Sequence, residues 1–183
     1  MLPKIGYGFF NIRNLKKIRN QPKIRIGLTI FDIIMEIAGL VALLSLWIIV
    51  IVTYSQLPES IATHFNSAGT ADSLGIKSSI FVLPVIATVT FALLTFLSRF
   101  PWLLNYRFEI TENNVFMQYK IAARMMRTIK LVFVLIMEII VVKSIMIALQ
   151  KTEFLSGSWF IAIIMAAVFI HIIYYFWQSF KYR

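Results

Sequence analysis

The chain has no cysteine, which excludes disulfides, thiolate metal sites and thiol catalysis. Acid is scarce as well: eight Asp and Glu stand against 18 Lys and Arg in 183 residues. Seven glycines and five prolines are too few, and too scattered, to form a linker. Residues 1–183 therefore read as a single membrane domain, with no repeat of 20–50 residues. A nucleophile elbow, a Gly-rich phosphate loop and a zinc helix are all missing. The two histidines, His64 and His171, form no triad pattern with serine, so no enzyme is expected.

What is abundant is apolar surface. The chain is 60% hydrophobic and holds 16 Phe, where a soluble domain is about 45–50% apolar. Runs at about 30–52, 79–98, 131–149 and 158–178 are long enough to cross ~30 Å of hydrocarbon at ~1.5 Å per residue. The first is too long for a signal-peptide core and lacks a small-residue cleavage site, so it is expected to remain as an anchor.

The basic residues are unevenly placed. Lys4, Arg13, Lys16, Lys17, Arg19, Lys23 and Arg25 precede the first run. Arg99, Arg107, Lys120, Arg124, Arg127 and Lys130 lie between the second and third, and Lys181 and Arg183 follow the fourth. The opposite loops carry only Lys77 and Lys151, and Lys143 can snorkel from the third run toward that side. Fifteen against two is the positive-inside pattern. It predicts cytoplasmic termini, a cytoplasmic 99–130 loop, and outward loops at 53–78 and 150–157. Anionic-lipid contact explains these cations without nucleic acid, whose sites want interleaved aromatics on a soluble platform. A multi-pass membrane location follows.

A short amphipathic helix is expected around Phe10 to Ile18, broken by Gln21-Pro22. In the inner loop, Thr111 reads as an N-cap with Glu112 in the first turn. No breaker lies between Asn114 and Gln150, so one long helix is expected to extend the third span into the cytoplasm. Pro84 falls where the first turn of the second span tolerates it.

The outer loop, LPESIATHFNSAGTADSLGIK at 57–77, is dense in polar residues. Asn66 to Gly69 and Asp72 to Gly75 each place an Asx residue at i and Gly at i+3, the chemistry of type I turns. Two successive turns, opened by Pro58, predict a compact turn-rich cap. His64, Asn66, Asp72 and Glu59 are oxygen and nitrogen donors that could gather round a divalent cation, the one cofactor this chain suggests, although no metal signature is matched. The alternatives are a recognition surface that includes Lys77, or a purely structural double turn.

These residues carry a resemblance. The stretch LPESIATHFNSAGTADSLGIKSSIFVLP is similar to the signature of a bacterial membrane family of unknown function, L-P-x-x-I-P-x-H-F-N-x-x-G-x-x-D-x-x-G-x-K. Leu57, Pro58, Ile61, His64, Phe65, Asn66, Gly69, Asp72, Gly75, Lys77 and Pro84 fall in register. Phe100-Pro101, Asn105-Tyr106 and ITENNVFMQYKIAARMMR resemble its inner loop, so the likeness covers about 22–150. Ala62 and Arg107 stand where the family has Pro. The same domain opens the SdpI-type immunity proteins, which protect producing cells from a secreted toxin peptide. The resemblance implies a multi-pass location in the cytoplasmic (inner) membrane of a bacterium and an important outer loop.

Ionisable residues inside the apolar runs are functional candidates. Asp32 and Glu36 lie one turn apart in the first run, Glu138 in the third and His171 in the fourth. Glu138 falls ~3 Å, His171 ~4–5 Å and Glu36 ~7–8 Å from the midpoint of its run. A proton- or cation-linked site of Glu36, Glu138 and His171 is one expectation. Structural pairing, with Asp32 meeting Arg25 or another cation, is the other.

The sequence thus predicts an all-α membrane protein: a four-transmembrane-helix bundle with a turn-rich outer loop. Recognition of a peptide or membrane-protein partner through the outer loop, with immunity as its specific form, is the leading functional expectation. An ion-coupled transport module and an accessory subunit of a membrane complex are the alternatives. Oligomeric state is not legible.

Overall fold

A computed structural model of the chain describes residues 21–150 and 159–183. The expected helix at Phe10 to Ile18, the cations Lys4 to Arg19 and the loop with Lys151 lie outside the described residues. Four long helices carry the fold: α1 (Ile30–Thr53), α2 (Val82–Arg99), α3 (Val115–Ala148) and α4 (Trp159–Lys181). All four are long and apolar enough to cross a membrane, which makes this a multi-pass membrane protein. Between α1 and α2 stands an antiparallel hairpin, β1 (Ser60–Phe65) and β2 (Ala71–Ile76). The bundle is therefore not purely helical.

Helix α1 starts where a capping box satisfies its first amides. Thr29 Oγ1 accepts from the Asp32 amide at 3.4 Å, and the Asp32 carboxylate accepts from the Thr29 amide at 2.9 Å. Helix α3 fills the breaker-free stretch with 34 residues. At 1.5 Å per residue that is about 51 Å, well beyond the ~30 Å hydrocarbon layer. Its start differs from expectation. Thr111 is not the cap; a turn intervenes, in which Asn114 Oδ1 accepts from the Thr111 amide at 2.9 Å and Asn114 Nδ2 donates to Glu109 O at 3.0 Å. The Asn side chain reaches both ends of that turn, so the helix opens three residues later.

Helix α3 is the mast: α1, α2, α4 and β1 all pack against it. Ala42, Leu46 and Val50 recur every four residues on α1 and bury one stripe, facing Val134, Val141 and Ile145 of α3. The outward faces stay apolar and exposed: Ile48 and Ile51 on α1, Val89 and Leu93 on α2, Ile170 and Ile173 on α4. Such surface suits acyl chains rather than water. Pro84 is buried in the first turn of α2, where its missing N–H costs nothing.

The hairpin corrects the double-turn expectation. Asn66 to Gly69 is a turn, but Asp72 to Gly75 is extended, inside β2. Asn66 N donates to Thr70 O at 2.9 Å and closes the hairpin tip. Gly69 has φ of 76°, a left-handed conformation that glycine adopts without steric cost. Gly75 answers a different need: a Cβ there would meet Thr63 Cγ2 at 2.6 Å. The Asp-x-x-Gly spacing therefore reflects a close cross-strand approach, not a second turn.

Candidate functional site

Two polar assemblies are built on α3, one at the hairpin end and one at the opposite end. At the hairpin end β1 lies against α3 with Ile61 and Ala62 buried. Lys143 Nζ, itself buried, donates to Gly69 O at 2.5 Å and sits 4.8 Å from the Phe65 ring centroid. The next residue, Ser144, donates its hydroxyl to Ala62 O. Both bonds reach main-chain oxygens, one at the tip and one in mid-strand, so the helix fixes the hairpin's position and not merely its side chains.

The hairpin face away from α3 is exposed. His64 Nδ1 and Asp72 Oδ1 are 2.5 Å apart across the strands, with side chains 67% and 40% exposed. Leu74 and Ile76 are both 70% exposed on β2. The other loop candidates separate. Asn66 Oδ1 is occupied by the amides of Ala68 and Thr70, at 2.9 and 3.1 Å. Glu59 is exposed at the far end of the hairpin, where its carbonyl accepts from the Lys77 amide at 2.9 Å. Lys77 Nζ lies 4.9 Å over the Tyr54 ring. Of the four donors considered for a cation, only His64 and Asp72 meet. No cluster of three His, Asp or Glu residues is found among the described residues.

The second assembly is an ion ladder between α1 and α3. Asp32 Oδ1 lies 3.2 Å from both Arg124 Nε and Arg127 Nη1. Glu36 Oε1 lies 3.3 Å from Arg127 Nε, and Glu36 Oε2 accepts from Lys130 Nζ. Lys130 also donates to Thr95 Oγ1 of α2 at 2.7 Å and faces the Phe91 ring at 4.4 Å. Asp32, Arg127 and Lys130 are almost wholly buried. Charges removed from water at this cost are retained only with partners, and here each has one.

The intramembrane candidates thus take different partners. Glu36 belongs to the ladder. Glu138 Oε1 accepts from Ser45 Oγ at 2.7 Å, about 12 Å further along α3 than Lys130. His171 Nε2 lies 3.3 Å from Thr128 Oγ1, on the α4 side of α3. Glu36, Glu138 and His171 do not form one site. Asp32 is paired, with Arg124 and Arg127 rather than Arg25.

An aromatic and amide clamp ties the connecting segments to the same end. Tyr119 OH donates to Pro22 O at 2.9 Å and stacks on Tyr106 with centroids 5.5 Å apart. Burial, with Tyr119 beside it, pushes the Tyr106 phenol up, so it stays a neutral donor to Pro101 O. Gln118 Nε2 donates to Ser179 O and Tyr182 O at 2.8 and 2.9 Å.

Arg124, Arg127 and Lys130, expected at the lipid headgroups, form the ladder with Asp32 and Glu36. Their spacing of three on one helix, facing Asp32 and Glu36 four apart on another, was the available signal. Nothing local marks Ser144 as a partner of Ala62, because they are 82 positions apart.

Similarity to known proteins covers part of the chain. Residues 40–88 match a domain of unknown function (DUF1648), from mid-α1 through the hairpin into α2. An uncharacterized protein of Archaeoglobus fulgidus is 32% identical over 75 residues, covering 37% of this chain and 41% of that relative. The chain thus matches less than half the length of that relative. No solved structure matches.

Proposed function

We propose that this chain is a small membrane protein that recognises a partner outside the cell through its hairpin. One observation carries the reading: the hairpin is held to α3 at two carbonyls, by Lys143 and Ser144, while His64, Asp72, Leu74 and Ile76 stay exposed. A main chain fixed on one side and a mixed polar and apolar face on the other is preorganised for binding. The asymmetry of basic residues supports an outward hairpin, cytoplasmic termini and a cytoplasmic start to α3. A peptide or membrane protein suits a short strand pair with an exposed edge. Protection against a toxin peptide is the specific form suggested by the likeness to SdpI-type proteins.

Ion-coupled transport is less well supported. The acids Asp32 and Glu36 hold cations of the same chain, and Glu138 lies on a different level. The test is a photoreactive residue at position 74, in cells of the source organism. A discrete adduct that disappears in the His64→Ala and Asp72→Ala variants, and is absent with the probe at lipid-facing Phe96, is expected. Equal adducts at 74 and 96, or adducts indifferent to both variants, would overturn the reading.

A further inference from the structure

Beside the ladder a cleft of about 540 Å³ opens between the start of α1 and the end of α2. Arg25, Arg99 and Arg127 line it, together with Glu36 and Ser98. Glu36 is the one carboxylate on its wall, and it is already held by Lys130 and Arg127. The ladder sets two carboxylates against three cations, which leaves one positive charge uncompensated. Arg25 and Arg99 add two more, and neither lies within ion-pair distance of a described carboxylate. Arg127 is 97% buried by its 3% exposure, and its Nε makes no hydrogen bond although Glu36 is 3.3 Å away. Arg25 and Arg99 therefore lack anionic acceptors at this cavity, and Arg127, though paired with Asp32 and Glu36, keeps one guanidinium N–H without a hydrogen bond.

The remaining wall is apolar. Leu28, Ile33 and Ile37 are 56%, 44% and 58% exposed. Ile33 and Ile37 lie one turn apart on α1 and run from the cleft along its outward face. Guanidinium groups bind phosphate oxygens through paired N–H donors, and an aliphatic groove below them fits an acyl chain.

We infer that this cleft binds an anionic phospholipid, its phosphate between Arg25, Arg99 and Arg127 and one acyl chain along Ile33 and Ile37. Free phosphate shares the headgroup chemistry but has no use for the aliphatic wall. The ladder then has a second role: Asp32 and Glu36 hold Arg127 in place, so the buried arginine is oriented before the lipid arrives. Ser98 directs its hydroxyl to Thr95 O at 2.8 Å and is not needed as a donor to the phosphate.

The test is native mass spectrometry of the full chain released from nanodiscs of mixed phosphatidylglycerol and phosphatidylcholine. Selective retention of one phosphatidylglycerol is expected. Arg25→Gln and Arg99→Gln should each lower that retention roughly tenfold, the worth of one charge-assisted contact. Both residues are exposed and unpaired by carboxylates, so folding is not at risk; circular dichroism of each variant checks this. Equal retention of the two lipids, or unchanged retention in the double variant, would overturn the proposal. Loss of the lipid to millimolar inorganic phosphate would also overturn it, by showing a site for the free ion.

Discussion

Lys143 Nζ lies 2.5 Å from the carbonyl oxygen of Gly69, a residue 74 positions earlier in the chain. A cation in the third membrane helix is thereby bound to the tip of a hairpin that the sequence presents as a loop. The contact explains how Lys143 is tolerated in an apolar run: its charge reaches a main-chain acceptor and the Phe65 ring.

Replacing Lys143 with Met should free the hairpin tip without unfolding the bundle, since the aliphatic stem is kept. Amide exchange at Asn66 and Gly69 should accelerate at least about tenfold, the effect of about 1.5–3 kcal/mol for one hydrogen bond to a charged group. Hydrogen–deuterium exchange in detergent or nanodiscs reads this directly. Unchanged protection at the tip would mean that the hairpin holds itself.

Gly75→Ala should destabilise the hairpin, because its new Cβ would overlap Thr63 Cγ2 at 2.6 Å. Thr63→Ser removes that methyl while keeping the hydroxyl. The double variant should therefore recover most of the lost exchange protection, a coupling that additive effects would not produce.

Asp32→Asn removes the partner of Arg124 and Arg127 and weakens the capping box at Thr29. A cost of about 3–5 kcal/mol is expected for breaking a buried ion pair on one side. Glu36→Gln should cost less, since the Glu36 side chain is 27% exposed. Thermal unfolding in detergent orders the two. A larger loss for Glu36→Gln would show that Lys130, rather than the arginine pair, is the anchor of the ladder.

Glu138→Gln should be nearly neutral for stability, because glutamine can still accept from Ser45 Oγ through its amide oxygen. A proton-coupled role for Glu138 demands instead that the variant abolish pH-driven flux in proteoliposomes. The same assay with wild-type protein and a proton-sensitive dye separates the two readings.

The helices were legible because period and length survive in a bilayer: runs of apolar residues bounded by charge mark all four. The long α3 followed from the lack of any breaker between Asn114 and Gln150. The hairpin was harder. Asp72 to Gly75 has the composition of a turn, and only the closeness of Thr63 shows why a strand needs Gly75. The ladder was hidden because Arg124, Arg127 and Lys130 have the same sequence appearance as cations at a membrane surface. Their pairing with Asp32 and Glu36 depends on which faces of α1 and α3 meet, and apolar runs with weak amphipathicity do not reveal that.

The absence of cysteine allows the orientation of the hairpin to be measured on a clean background. Single cysteines at Ala68, exposed at the hairpin tip, and at Leu103, exposed at the opposite end, are to be labelled in intact cells with a membrane-impermeant maleimide. An outward recognition hairpin requires labelling of Ala68→Cys before permeabilisation and of Leu103→Cys only afterwards. The reverse pattern would put the hairpin in the cytoplasm and contradict the proposed function.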